Sequence, residues 1–258
     1  MKIGAYYALH YGAEYLAWSL RSIAEQVDHI VVLYTPQPSY GTPAPMPCPE
    51  SEDRLKLEAR RFVDPHRIEW IRGHWHGEGA HRDQGLQVLR ALGCDIAIPV
   101  DADELWMPDT IRAAAEHAHR ANSAYAWLCH FEHFWRALDR TVHDGFRPVR
   151  VVDLRQPVGT QAYMPLEGGQ VEPIYHTSCA QAEAITRYKW SCHGHQSELR
   201  QNWLEEKFFA WTPEKDPGDL HPVVFNLWDY AHEASPTTRA AVDTLLHDHP
   251  NYGKPVIR

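Results

Sequence analysis

Apolar runs and helical spacing alternate along the first part of the chain. Residues 2–7 form a short apolar run, and residues 14–26 (EYLAWSLRSIAEQ) carry Leu16, Leu20 and Ile23 at helical spacing. Residues 29–34 (HIVVLY) are β-branched and continuous, as a strand buried on both faces requires. A proline-rich loop, TPQPSYGTPAPMPCPE, cannot be helical. Beyond it, 52–63 reads as helix, 67–71 as strand, 81–92 as helix, 95–100 as strand and 108–120 as helix. Strands separated by single helices predict βαβ units in a parallel sheet with right-handed crossovers.

After Ser123 the pattern changes. AYAWLCHFEHFW reads as one strand and FRPVRVVDLR as another; past Gly168 the chain becomes irregular, with a helix predicted over 180–188. The fold class expected is α/β: a mostly parallel central sheet flanked by helices, followed by a mixed, irregular half rich in His and Trp.

The 258 residues are 44% apolar and 23% charged, ordinary values for a soluble globular chain. No window approaches the roughly 18 apolar residues of a membrane span, and MKIGAYYALHYG lacks a signal-peptide core, so no membrane span and a cytoplasmic location are expected. Five scattered cysteines without C-x-x-C spacing argue against a disulfide framework and a thiolate zinc site. A net charge of −9 disfavours broad attraction to nucleic acid. Two counts stand out, 18 histidines and 10 tryptophans; most of the tryptophans are expected in the core and a few against ligand, with Trp75, Trp135, Trp190 or Trp203 as an acceptor platform.

The densest chemistry is IAIPVDADELWMPDT, an apolar strand running into acids. On a strand, Asp101 and Asp103 point the same way and make a hard oxygen site for Mg²⁺ or Mn²⁺ and, through it, a diphosphate. The alternative is that Asp103 and Glu104 open a loop before the next helix, with Asp109 in its first turn. Open α/β sheets bind ligands at the carboxyl ends of their strands, where Asp101 falls.

The N-terminal strand, EYLAWSLRSI, VDHIVVLY, HRDQGLQVLRALGCDIAIPVDADELW and the helix after it resemble family-2-type glycosyltransferases of the GT-A fold over about residues 1–120. IYHTSCAQAEAITRYKWSCHGHQSELRQNW, with DLHP beyond it, is similar to the C-terminal part of small bacterial and phage members. The resemblance implies a single GT-A domain over 1–258, with 1–122 as the nucleotide-sugar half and 123–258 as the acceptor and metal-completing half. It implies a Mn²⁺- or Mg²⁺-dependent hexosyl- or pentosyltransferase that moves sugar from a nucleotide diphosphate, by default a UDP-sugar, to a hydroxyl acceptor. The acceptor is expected to be a glycan or lipid-type hydroxyl, or a hydroxymethylated base in phage-type DNA. For DNA, RLKLEARR (54–61) would meet the phosphates.

By the same resemblance Asp101 and Asp103 hold the cation, Arg82, Asp83 and Gln84 lie near the nucleotide, and a C-terminal histidine joins the metal. His176 fits that place best, with His193, His195 and His221 as competitors. Tyr6, Tyr34, Trp106 and Lys189 are further donor-binding candidates. The general base, usually an acid beyond D-x-D in the family, is expected to be Glu132, with Asp144 second. One departure is Tyr34-Thr35-Pro36, where many relatives place an acid against the base.

Three rival readings are weighed. A zinc hydrolase would use His74, His76 and His81 of HWHGEGAH. A nucleotidyltransferase would show a glycine-rich basic signature near the first strand, and GAYYALHYG has no lysine or arginine. A non-catalytic carbohydrate- or nucleic-acid-binding module would need the tryptophans but not the D-x-D.

Overall fold

The computed structural model describes residues 1–39, 44–121, 125–143, 145–156, 162–166, 172–194 and 196–254. In chain order the strands are β1 (Ile3–Leu9), β2 (His29–Tyr34), β3 (Ile68–Arg72), β4 (Ile96–Val100), β5 (Glu104–Leu105), β6 (Tyr125–Leu128), β7 (Phe131–Trp135), β8 (Ala137–Val142), β9 (Val149–Asp153), β10 (Ala162–Pro165), β11 (Ile174–Cys179) and β12 (His232–Glu233). The α-helices are α1 (Ala13–Ala24), α2 (Glu52–Ala59), α3 (Glu78–Ala91), α4 (Thr110–Ala121), α5 (Glu183–Cys192) and α6 (Pro236–Leu246). The chain divides into two compact units: Met1–Ser39, Glu50–Phe131 and Phe146–Ile174 in the first, and Tyr40–Pro49, Glu132–Gly145 and Tyr175–Arg258 in the second.

The first unit is built on a sheet of order β10-β6-β9-β4-β1-β2-β3. Its β1/β2, β1/β4, β2/β3 and β6/β10 pairs are parallel, whereas β9 runs antiparallel to β4 and β6. The expected α/β class and mostly parallel sheet are therefore present. Strand alternation sorts the side chains onto two faces. Ile3, Ala5, Tyr7 and Leu9 of β1, with Ile96, Ile98 and Val100 of β4, pack with Leu16 and Leu20 of α1 and Ile111 of α4. Tyr6, Val31, Leu33 and Ala97 point the other way and pack with Leu86 and Leu89 of α3. Close approach of α3 depends on Gly85, because a Cβ there would sit 2.3 Å from the Tyr6 ring. Helix α1 has no side-chain cap of its own; the Gly12 and Ala13 amides donate to Glu50 Oε2 at 2.6 and 2.9 Å instead.

Two expectations change. AYAWLCHFEHFW is two strands in different sheets, not one: β6 ends at Leu128 and β7 starts at Phe131. The Cys129 amide still bonds Pro148 O beside the Leu128↔Val149 pair, and the chain changes sheet at His130, which is exposed. Helix α2 stops at Ala59 instead of residue 63, ahead of Pro65, whose preceding residue disfavours the helical region.

The second unit holds β12-β8-β7-β11 in that order, with β7/β8 and β8/β12 antiparallel. Between β7 and β8 the register shifts at Phe134/Trp135, and Arg136 turns the chain at φ 57°. Its core is an aromatic cluster of Trp135, Trp190, Trp203, Trp211, Trp228 and Phe208. Except for Trp70 and Trp75, every tryptophan of the chain is buried. Their number is thus a packing feature; Trp135, Trp190 and Trp203 stand in the core and not on a surface where a ligand would stack. Among the described residues no helix is long and apolar enough to cross a membrane.

Candidate active site at the end of β4

Strand β4 ends at Val100, and Asp101 to Asp103 form a turn closed by the Glu104 amide donating to Asp101 O at 3.1 Å. The expectation that strand alternation aligns Asp101 and Asp103 is therefore corrected, because the strand has stopped. A polar stripe on α1 holds the loop instead. Ser19 Oγ donates to Asp101 O at 3.4 Å, the Trp106 amide donates to Ser22 Oγ at 3.1 Å, and Gln26 donates to Met107 O at 3.0 Å while accepting from the Ile111 amide at 2.9 Å. Ser19 and Ser22, three residues apart, share one face of α1, and Gln26 follows in the turn just after it, so the end of α1 fixes the backbone from Asp101 to Ile111.

Two arginines converge on Asp101. Arg150 Nη2 donates to Asp101 Oδ2 at 2.7 Å, and Arg82 Nη2 donates to Asp101 Oδ1 at 3.4 Å. Arg150 reaches this place because β9 runs antiparallel to β4 in register Ala97↔Val152, which carries Arg150 alongside the strand end that bears Asp101. It is almost fully buried, and its other partner, Glu104, is completely buried. Arg150 Nε lies 3.0 Å from both Glu104 oxygens, Nη2 also bonds Glu104 Oε1, and Nη1 donates to Val149 O at 3.0 Å. Burial pushes the Glu104 carboxyl up to about 8, against the opposing pull of Arg150. Burial works against the Arg150 charge too, yet Glu104 and Asp101 outweigh it and hold the guanidinium cationic.

Arg82 sits on α3 with its side chain about one-third exposed; Asp101 chiefly raises its pKa, and Nε donates to Glu78 Oε1 at 2.8 Å. Its charge also acts on Tyr6, whose hydroxyl burial pushes up to about 12. Tyr6, Arg82, Asp101, Glu104 and Arg150 thus form one connected group in the first unit. Asp103 stands two residues on, half-buried; Gln84 is half-buried and Asp83 exposed on α3. Tyr34 is buried against Trp70, with ring centroids 5.9 Å apart. Trp106 belongs to the core, 1% exposed, which corrects the expectation that it lines the donor sugar; its Nε1–H finds no acceptor among the described residues.

The remaining candidates lie in the second unit. Glu132 on β7 is buried, its Oε2 3.6 Å from His143 Nδ1. His176 on β11 faces His133, Nδ1 to Nδ1 at 2.9 Å, so one of the two rings carries its proton there. Lys189 bonds Ser178 Oγ, and His193 follows α5 with its ring 4.9 Å from Trp190. The His221 ring accepts from the Val223 and Val224 amides at Nδ1 (3.1 and 2.7 Å), which leaves its proton on Nε2 and removes it as a metal ligand. Asp144 and His195 lie outside the described residues.

HWHGEGAH does not make a zinc centre. His81 is buried, with Nε2–H donating to Leu33 O at 2.8 Å and Nδ1 accepting from the Ser39 hydroxyl at 2.9 Å, so both ring nitrogens are in use. Burial lowers its pKa, as it does that of His10. A histidine whose folded pKa is depressed contributes stability that is complete above its unfolded pKa of about 6.5 and is lost as pH falls from there through the folded value. Urea midpoints are accordingly expected to drop from pH 7.5 to pH 5.5, and to drop less in His81→Gln; an equal drop in both proteins would show that His81 carries none of the effect.

The acids at the end of β4 suit a hard cation in a particular way. Among the described residues no group of three or more His, Cys, Asp and Glu is arranged to hold a metal. Mg²⁺ and Mn²⁺ are commonly held by one or two carboxylates and completed by water and phosphate oxygens, and Asp101 and Asp103 are the two half-buried carboxylates of the turn beyond β4. Sequence reading missed Arg150 and Glu104. Arg150 is 49 residues from Asp101, and an arginine among the valines of VRVVD has the look of an outward-facing strand residue. In the basic stretch weighed for DNA, Lys56 pairs with Glu52 at 2.7 Å, and Arg54 and Arg61 share Glu58 at 3.0 and 3.3 Å.

No protein-family model matches the chain, and no curated protein does. Solved structures similar to it include S. aureus TarS, residues 1–349, at 11% identity over 69% of this chain and 61% of that one, with a TM-score of 0.43. GalNAc-T7 with UDP, GalNAc and Mn²⁺ is similar at 12% identity over 52% and 23% of the two chains (TM-score 0.39). The 4-diphosphocytidyl-2C-methyl-D-erythritol synthase of Anaerococcus prevotii is similar at 11% over 72% and 96% (TM-score 0.40). The chain therefore spans less than two-thirds of the TarS structure, and the reading of the site rests on this chain's own residues.

Proposed function

We propose that the chain is a metal-dependent glycosyltransferase that moves a hexose or pentose from a nucleotide-diphosphate sugar to a hydroxyl acceptor. The observation that carries this reading is the pair Asp101 and Asp103 directly beyond β4 of a parallel sheet, with Arg82 and Arg150 on Asp101. Strand ends of open α/β sheets are where phosphate-bearing ligands dock. Asp101 and Asp103 would hold Mn²⁺ or Mg²⁺, which when bound stabilises the charge that develops on a departing diphosphate. Partly exposed Arg82 is the guanidinium placed to bind a phosphate oxygen. Glu132, or Asp144, is the candidate base that takes the acceptor proton, and His176, His193 or His195 the candidate additional cation ligand. A UDP-sugar is the first donor to try, and a glycan-type hydroxyl or a hydroxymethylated DNA base the acceptor.

The test is a panel of UDP-, dTDP-, CDP-, GDP- and ADP-sugars incubated with the protein and Mn²⁺ or Mg²⁺. Cation-stimulated release of a nucleoside diphosphate is expected from at least one donor. Mass increase of simple glycans or hydroxymethylated DNA then identifies the acceptor. Silence across the panel with both cations overturns the reading, and pyrophosphate release from a nucleoside triphosphate reassigns the chain to nucleotidyl transfer.

A further inference from the structure

The two oxygens of Asp101 are held unequally. Oδ2 takes a 2.7 Å bond from Arg150, a buried side chain locked by Glu104 on both its Nε and its Nη2. Oδ1 takes a 3.4 Å contact from Arg82, a side chain about one-third exposed, whose Nε is anchored four residues back on Glu78 at the helix start. The Arg82 charge beside Oδ1 opposes a cation at Asp101, whereas a diphosphate gives that guanidinium a stronger, bidentate partner.

From this we infer that Arg82 is a charge gate on Asp101: it pairs with Oδ1 until a nucleoside diphosphate draws it away, so that the acids accept a divalent cation more readily together with the nucleotide. Arg150 is the fixed counterpart, a positioning residue that keeps Oδ2 in place throughout. The inference deepens the proposed function and rests on it for the diphosphate. Its physical content is that cation and diphosphate bind with positive coupling because Arg82 repels the one and attracts the other.

The test is Mn²⁺ binding, followed by electron paramagnetic resonance and calorimetry, alone and with UDP, dTDP, CDP, GDP or ADP. The intact protein is expected to bind Mn²⁺ weakly alone and at least about tenfold more tightly with the matching nucleotide. Arg82→Gln is expected to bind Mn²⁺ alone about tenfold more tightly than the parent and to lose most of the coupling. Arg82→Lys keeps the charge and is expected to return the weak binding, which a merely structural role would not do. If Arg82→Gln binds Mn²⁺ alone no more tightly than the parent, or if Arg82→Lys binds it as tightly as Arg82→Gln, the gate is refuted while the glycosyltransferase reading stands. If no nucleotide tightens Mn²⁺ binding to the parent protein, the diphosphate reading itself falls. Neither substitution enters the core, and far-UV circular dichroism checks that both fold.

Discussion

Arg150→Met is expected to lower the melting temperature by about 10 °C, corresponding to roughly 3–5 kcal/mol, the cost of stripping one partner from a buried ion pair. The reason lies in Glu104. Its carboxylate is completely buried and bonded at both oxygens by Arg150, and without that guanidinium it must bury an unpaired charge or take up a proton. The loss therefore depends on pH. Burial pushes the Glu104 carboxyl upward against the pull of Arg150, and removing the arginine raises it further. A carboxyl whose folded pKa exceeds its unfolded value of about 4.3 stabilises fully below that value and loses the contribution as pH rises through the folded one. The variant should thus lie closest to the parent at acid pH and furthest from it at alkaline pH.

A second substitution separates charge from packing. Glu104→Met added to Arg150→Met replaces the pair by apolar side chains of similar length, and such replacements are often neutral or stabilising. Most of the lost melting temperature is expected to return, whereas tight Mn²⁺-nucleotide binding is not, since Asp101 Oδ2 has lost its anchor. Should the double variant melt no higher than Arg150→Met, the pair is not what the arginine supports. Thermal melts at three pH values and one Mn²⁺ titration decide the matter.

The same pair shows where sequence stops being informative. β2 over 29–34 is read to the residue, and α1 and β4 within a residue or two, because both-face burial and helical spacing leave direct marks on the order of apolar residues. The passage from β6 to β7 is marked by His130 alone, exposed between buried Cys129 and Phe131, and one polar residue is too short a mark to read as a break between strands. Asp101 and Asp103 were legible as acids at a strand end, but the turn that holds them depends on Ser19, Ser22 and Gln26, which on α1 look like ordinary polar positions. A buried arginine acquires meaning only from its partner, and partners distant in the chain are set by strand order: β9 beside β4 is a fact of topology that local pattern does not encode. Tryptophan misleads in the opposite direction, because an indole suited to stacking on a sugar is equally suited to a core, and Trp106, Trp135, Trp190 and Trp203 take the core.

Asp101→Ala is expected to reduce cation-stimulated donor hydrolysis by about 100- to 1,000-fold, the range seen when one preorganised electrostatic stabiliser of a leaving oxyanion is removed. The charge balance around it makes the loss specific. Arg82 and Arg150 both face Asp101, so deleting that carboxylate leaves two guanidinium groups with one fewer anion between them and a more positive site. A nucleoside diphosphate without cation should then bind as well as to the parent or more tightly, even as turnover collapses and Mn²⁺ no longer tightens its binding. Asp103→Ala should also lose turnover but without that gain in metal-free affinity. Calorimetry of the metal-free nucleotide together with hydrolysis rates for the two variants distinguishes these outcomes. Hydrolysis within a few-fold of the parent in both would remove the two acids from the reaction and the assignment with them.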